Sequence, residues 1–210
     1  MFGEVMEETL KITRTGESEV IIKKSRFLGS AINVESEEQA REMVAAIRKE
    51  HYSARHVCYA YSIGDKNPVL KFSDDGEPGG TAGKPMLDVV LNSGISDILI
   101  VVVRYFGGVL LGTGGLVRAY SEAAAQAVKN AETKTICLSR IYDIVLDYGD
   151  FDKVKYLIEN HEGTAYEVEY SDKVLIKLTV PDKNAEMLEK QISEKTAGRS
   201  EIKYIETKMV

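Results

Sequence analysis

Ile98-Leu99-Ile100-Val101-Val102-Val103-Arg104-Tyr105-Phe106-Gly107-Gly108, continued by Val109-Leu110-Leu111-Gly112-Thr113-Gly114-Gly115, is the stretch that decides how this chain folds. The run from Ile98 to Val103 is apolar at every position, which predicts a strand buried on both faces and therefore central in its sheet. It is far shorter than the roughly 20 apolar residues of a membrane span. The glycines end the strand, and Thr113 is placed to cap a helix whose buried stripe is Leu116, Tyr120, Ala123 and Ala127. The small alanines of that stripe predict close packing of the helix on the sheet.

Upstream, Glu19–Lys24 and Phe27–Val34 carry β-branched residues on alternate positions and read as strands. Ser36 and Gln39 form a capping box, and Ala40, Met43, Val44 and Ile47 stripe the helix that follows, ending near His51. Val57–Ile63 and Val69–Phe72 make a hairpin around Gly64-Asp65-Lys66-Asn67-Pro68. A glycine- and proline-rich loop, residues 73–85, then leads to a short helix with Pro85 at its first position and Gly94 at its end.

Downstream of Lys134 the glycine-rich style stops. Ile136–Tyr148, a helix capped by Asp150, strands Thr164–Tyr170 and Val174–Val180 around Ser171-Asp172, a helix from Asp182 to Glu194 and a strand from Ser200 to Lys208 give the order βαββαβ. That order is the ferredoxin-like pattern. The fold class is therefore α+β, with domains expected at 1–134 and 135–210. The second contains no glycine loop, clustered histidine or apolar acid pair, and reads as a binding or packing module.

Composition narrows the function. The net charge of −6 argues against a general polyanion binder, so a nucleic-acid surface can exist only as a local patch. Met1–Leu10 has no basic region and is no signal peptide. The two cysteines, Cys58 and Cys137, form no disulfide framework or metal knuckle. A cytoplasmic protein is the expectation, with no membrane contact and no motif for reading DNA sequence.

The glycine loop carries the candidate chemistry. Gly107 and Gly112 have Walker A spacing, but Thr113-Gly114 stands where Lys-Ser/Thr is required, and Val117 takes the place of the third glycine of a dinucleotide fingerprint. No cofactor is expected. Asp74, Asp75 and Glu77 form an acidic cluster able to suit a hard cation; the alternative is that they cap turns and pair with arginines, Arg104 with Asp74 or Asp75. The spacing matches no EF-hand, and no metal is expected. His56 and Cys58 share one face of a strand, as a nucleophilic pair or as a buried thiol beside a hydrogen-bonded imidazole. Arg26, Lys84, Arg104 and Arg118, with Lys23, Lys24 and Arg55, are the first domain's loop-end cations, with Tyr59, Tyr61, Tyr105 and Phe106 interleaved among them. Cations among aromatics suit single-stranded nucleic acid, or are solvated charge. Gly112, Gly114 and Gly115 would let a ligand or another backbone approach closely, or else only permit tight turns and helix–strand packing; Gly107, Gly108, Gly112 and Gly114 are the candidate ligand contacts among them. The amides of Gly112–Gly115 and Ala82–Lys84 could hold an anion at helix N-termini, unless protein side chains already occupy them.

Lys24-Ser25-Arg26-Phe27, His56-Val57-Cys58-Tyr59-Ala60-Tyr61, the segment Phe72–Gly83 and the segment Val103–Gly112 occur in an order that resembles the IMPACT family, in its bacterial branch. The resemblance covers about residues 20–130, and the C-terminal part resembles the small domain found beside it in bacterial members. It implies a first domain of the ribosomal protein S5 domain 2-like fold and a ferredoxin-like second, both similar to late domains of the translocation factor EF-G. Eukaryotic relatives restrain a translation kinase, largely through an extra N-terminal domain; nothing of that size precedes Glu19, so that role is not expected to transfer. The expectation is a translation-linked regulatory or accessory protein that binds the ribosome, structured RNA or a ribosome-associated partner without catalysis. The alternatives are a hydrolase acting on an anionic substrate in the glycine-loop cleft, and a protein-interaction adaptor.

Overall fold

The computed structural model describes residues 8–64 and 67–210. Most of the acidic N-terminus and the centre of the Gly64–Pro68 turn lie outside the described residues. Two compact units divide the chain, Met1–Thr135 and Ile136–Val210, each with its own apolar core. Among the described residues no helix is long and apolar enough to cross a membrane.

The first unit runs β1 (Glu8–Arg14), β2 (Gly16–Ile22), β3 (Ser25–Asn33), α1 (Glu37–Glu50), β4 (His56–Ile63), β5 (Val69–Ser73), α2 (Gly83–Ser93), β6 (Ile98–Tyr105) and α3 (Thr113–Asn130). Its main sheet has the order β2-β3-β6-β4-β5, every pairing antiparallel. The apolar run is thus the central strand, as its two-faced burial requires. Ile98, Ile100 and Val102 join the core formed with α2 and α3, while Leu99, Val101 and Val103 join the one formed with α1. Parity puts Arg104 on the α2–α3 side and Tyr105 on the α1 side.

Local signals mostly act where the sequence places them. Ser36 Oγ accepts from the Gln39 amide at 3.1 Å, while the Gln39 side chain accepts from the Glu35 amide at 2.7 Å, one residue before the expected partner. Gly94 closes α2 in the left-handed conformation at φ 68°. Three details differ. Gly83 begins α2, so Pro85 is its third residue. Gly112, not Thr113, is the N-cap of α3 and supplies no side chain. The strand β1 was not expected, although Leu10 and Ile12 alternate with Lys11 and Thr13 and Ile12 is buried.

Close packing of α3 on the sheet rests on two glycines opposite its alanines. A Cβ on Gly29 would stand 2.7 Å from the Ala123 carbonyl oxygen and 2.5 Å from Ser18 Oγ; one on Gly16 would stand 2.1 Å from the Ala127 carbonyl oxygen. Ser18 Oγ donates to that same Ala123 carbonyl at 2.7 Å, fixing the helix to β2.

The second unit is built on β7 (Glu132–Leu146), whose first residues belong to the first unit, followed by α4 (Phe151–Asn160), β8 (Thr164–Tyr170), β9 (Val174–Pro181), α5 (Asp182–Lys195) and β10 (Glu201–Met209). The strands lie in the order β10-β7-β9-β8, all antiparallel. This is the ferredoxin-like βαββαβ arrangement. Val154, Leu157 and Ile158 of α4 and Ala185, Leu188 and Ile192 of α5 form the core with Ile144, Ile176 and Leu178 of the sheet. Asp150 makes no side-chain capping bond; it accepts instead from Arg199 at 2.7 Å and Lys153 at 3.1 Å. These two partners hold its carboxyl below the ordinary aspartate value, Arg199 contributing most.

Gly29→Ala should destabilise the protein by about 1–3 kcal/mol, because the added methyl meets backbone that cannot yield without moving α3. Urea unfolding followed by circular dichroism measures it; an unchanged midpoint would show that α3 is not held at this distance.

Candidate functional site

Strand register brings four connections to one end of the first unit's sheet. Arg26 pairs with Tyr105, His56 with Arg104, and Tyr59 with Ser73. The β2–β3 turn, the α1–β4 turn, the β5–α2 loop and the β6–α3 loop therefore meet there.

Beneath them lies a buried polar cluster. The Glu77 carboxylate, 3% exposed, accepts from Arg104 Nη1 at 2.6 Å and from the Tyr120 hydroxyl at 2.7 Å. Arg104 also reaches Ser25 Oγ at 3.4 Å, and its guanidinium lies 5.3 Å from the Phe27 ring centre and 5.6 Å from that of Phe106. Its Nε has no hydrogen-bond partner among the described residues. Burial pushes the Tyr120 phenol well above its ordinary range, so it stays protonated and donates. Removing one member of such a pair leaves an uncompensated buried charge, a loss on the order of 3–5 kcal/mol.

The other two acids are also engaged inside the protein. Asp74 accepts from the amides of Gly80 at 2.8 Å, Ala82 at 2.9 Å and Gly83 at 2.8 Å. Burial pushes its carboxyl up, but the three amides together outweigh burial and hold it below the ordinary aspartate value. Asp75 accepts from the Val57 amide at 2.6 Å and pairs with Arg48 at 2.6 Å. At the start of α2 the Asp74 carboxylate itself takes the amides of Ala82 and Gly83, the alternative weighed against an external anion on Ala82–Lys84. The pairing of Arg104 is corrected: its partner is Glu77, not Asp74 or Asp75.

His56 and Cys58 do share a face of β4, but they do not touch each other's chemistry. His56 Nδ1 meets the Asp75 carbonyl at 2.9 Å, and its Nε2 lies 3.9 Å from Glu77. Cys58 Sγ donates to the Asp74 carbonyl at 3.1 Å, and burial pushes its thiol up to about 12. That is an inert thiol, not a nucleophile. Among the described residues no group of three His, Cys, Asp or Glu side chains could hold a metal ion.

The remaining candidates divide by exposure. Arg104 is 5% exposed and contributes no charge to the surface. Tyr105 is half-buried, its hydroxyl 2.8 Å from His51 Nδ1. Arg26 is paired with Glu19 at 2.5 Å, and Lys84 with Asp88 one turn along α2. Arg118 is exposed on the first turns of α3. Gly107 is where backbones truly meet: a Cβ there would stand 2.0 Å from the Lys24 carbonyl carbon. Its amide donates to Ser25 Oγ at 3.2 Å. Gly108 and Gly112 have φ of 83° and 72°, whereas a Cβ on Gly114 would meet nothing within 4 Å.

The sequence reading carried the strand Glu19–Lys24 two residues too far, because Lys23 and Lys24 form the turn between β2 and β3. Both lysines have positive φ, 47° and 67°, between the paired residues Ile22 and Ser25. That two-residue turn is normally filled by Asn-Gly, and the left-handed conformation costs other residues roughly 1–2 kcal/mol each. It also missed Tyr52, which is 87% exposed in the α1–β4 turn, and Leu110, 83% exposed at the tip of the β6–α3 loop. No periodicity runs through turns, so the sequence carried no signal for either.

Two measurements check this picture. Asp74 has a depressed pKa when folded, so its stabilisation is present above the unfolded value near 3.9 and fades as pH falls through the lower folded value. The stability gap between the wild type and Asp74→Asn should therefore be full at pH 7 and shrink below about pH 4; a pH-independent gap would mean its charge is irrelevant. Separately, a Cys137→Ser variant should leave Cys58 unreactive toward Ellman's reagent until urea unfolds the chain, whereas rapid reaction in the native state would contradict its burial.

Residues 23–128 match the Impact N-terminal domain, and residues 144–199 match a domain of unknown function, DUF1949. The IMPACT family member YvyE of Bacillus subtilis is 36% identical over 192 residues, covering 91% of this chain and 88% of the relative. An IMPACT family member of Haemophilus influenzae is 40% identical over 187 residues, covering 88% and 91%. A crystal structure described as a hypothetical protein superposes with a TM-score of 0.63 at 35% identity, covering 96% of this chain and 99% of that one. Both units and their order are matched, and the chain belongs to the IMPACT family.

Proposed function

We propose that this chain is a translation-linked accessory or regulatory protein of the cytoplasm that binds the ribosome, structured RNA or a ribosome-associated partner through the loop end of its first unit. The observation that carries this reading is the fate of the three acids. Asp74 is engaged by amides, Asp75 by Arg48 and Val57, and Glu77 by Arg104 and Tyr120. A hydrolytic site needs carboxylates and a base that reach a substrate. Here they hold loops in place, while the cations Lys23, Lys24, Arg55 and Arg118 belong to turns and a helix start at that end. Membership in the family supplies the link to translation by resemblance.

Sedimentation of the purified chain with ribosomes, with and without ribonuclease treatment, tests the reading. Binding should weaken with salt, and Lys24→Ala/Arg118→Ala should reduce the slope of log K against log salt by about 2 where both side chains meet phosphate. Failure to sediment with ribosomes at low salt would remove the ribosome from the proposal, and an unchanged slope would remove this end as the contact.

A further inference from the structure

We infer that the partner at this end is a protein surface with an apolar cleft rimmed by acidic residues, and that Val109 and Leu110 are the anchor that enters it. This rests on the reading above that the loop end is the contact surface, and it names the partner's chemistry. The β6–α3 loop, Phe106 to Gly112, contains no charged residue. Its tip is aliphatic and turned to solvent, with Leu110 83% and Val109 42% exposed. The loop adjoins the Lys23-Lys24 turn, onto whose backbone Gly107 packs, and Arg55, which lies over the Phe106 ring at 5.5 Å; Arg118 follows on α3, six residues beyond Gly112. Of the acids near this end, Asp74, Asp75 and Glu77 are engaged internally and Glu19 pairs with Arg26, leaving Glu50 in the last turn of α1 and Glu122 one turn beyond Arg118.

An apolar centre within a charged rim is the anatomy of a protein interface, in which water is excluded from the middle and charge steers the approach. A nucleic-acid surface is polar and cationic throughout, and unpaired bases need open aromatic faces. The loop's one aromatic, Phe106, already has the Arg55 and Arg104 guanidinium groups over its ring, and the open ring at this end, Tyr52, belongs to the α1–β4 turn and not to this loop. An aliphatic tip offers a base nothing to stack on. The rim cations select the sign of the partner, and the tip supplies the surface to be buried.

A photo-crosslinking phenylalanine analogue carried at position 110 of the full chain tests this, in ribonuclease-treated lysate of the source cells. The expected result is a ribonuclease-resistant crosslink to a protein, mapped by mass spectrometry to an apolar segment flanked by acids. An excess of wild-type chain should suppress it at least tenfold, whereas the Leu110→Asp chain should not compete. Against the purified partner, Lys23→Glu/Lys24→Glu should weaken binding several-fold and flatten its salt dependence. Circular dichroism of each variant confirms that it folds, as expected for changes at an exposed tip and turn. The inference is overturned by no crosslink, by crosslinked material that ribonuclease digests, by a mapped segment without acids, or by Leu110→Asp competing as well as wild type. A ribonuclease-sensitive crosslink leaves the ribosome-binding reading intact, whereas a protein crosslink with no sedimentation on ribosomes overturns only that reading.

Discussion

The loop end of the first unit depends on one carboxylate. Glu77 sits in a stretch without regular secondary structure, yet its side chain is 3% exposed, and a buried charge is tolerable only when paired and hydrogen-bonded. Its partners come from two other elements, Arg104 from the end of β6 and Tyr120 from α3, and Arg104 in turn reaches Ser25 at the start of β3. One ion pair thereby ties the β5–α2 loop to the central strand, to a helix and to the neighbouring hairpin. The arrangement has little slack, since Arg104 Nε is already unpartnered among the described residues.

Around that pair, charge is sorted by sign. Asp74, Asp75 and Glu77 turn inward to amides and guanidinium groups, while the β2–β3 turn is made of two lysines in a conformation that suits glycine. The net charge of −6 therefore says little about this end. A chain can be acidic as a whole and still present cations wherever its local acids are consumed by its own backbone.

Much of this was legible in the sequence. The unbroken apolar run fixed β6 as the central strand, the Ser36 capping box located α1, and the spacing of segments after Lys134 gave the ferredoxin-like order. The site was less legible, for two reasons. Parity along β6 puts Arg104 on the face of Val102, but parity cannot say whether the last residue of a strand lies under a loop or in water. The answer depends on Glu77, and a loop has no period from which burial can be read. The Lys23-Lys24 turn escaped for a related reason: turn recognition relies on Gly, Asn, Asp and Pro, and this turn uses none of them.

The structure also separates what holds this surface from what it presents. The base is the Glu77–Arg104–Tyr120 cluster, the Asp74 carboxylate under its amides, and the contact of Gly107 on Lys24, all buried or backbone-locked. The tip, at Leu110, is 83% exposed and supports nothing beneath it. A binding surface made of loops needs such a base, because side chains positioned by mobile backbone lose in ordering what they gain in contact. The two groups of residues then act through different quantities. A change in the base alters the free energy of folding, and binding only as a consequence. Under the proposed contact, a change at the tip alters binding at constant stability. Positions that share no partner contribute nearly independently, so base and tip changes should combine additively in stability even where both weaken association. The residues that make this end recognisable in the sequence, the glycines and the acids of the Phe72–Gly83 segment, are therefore largely the scaffold, and the proposed contact uses the residues that the scaffold leaves bare.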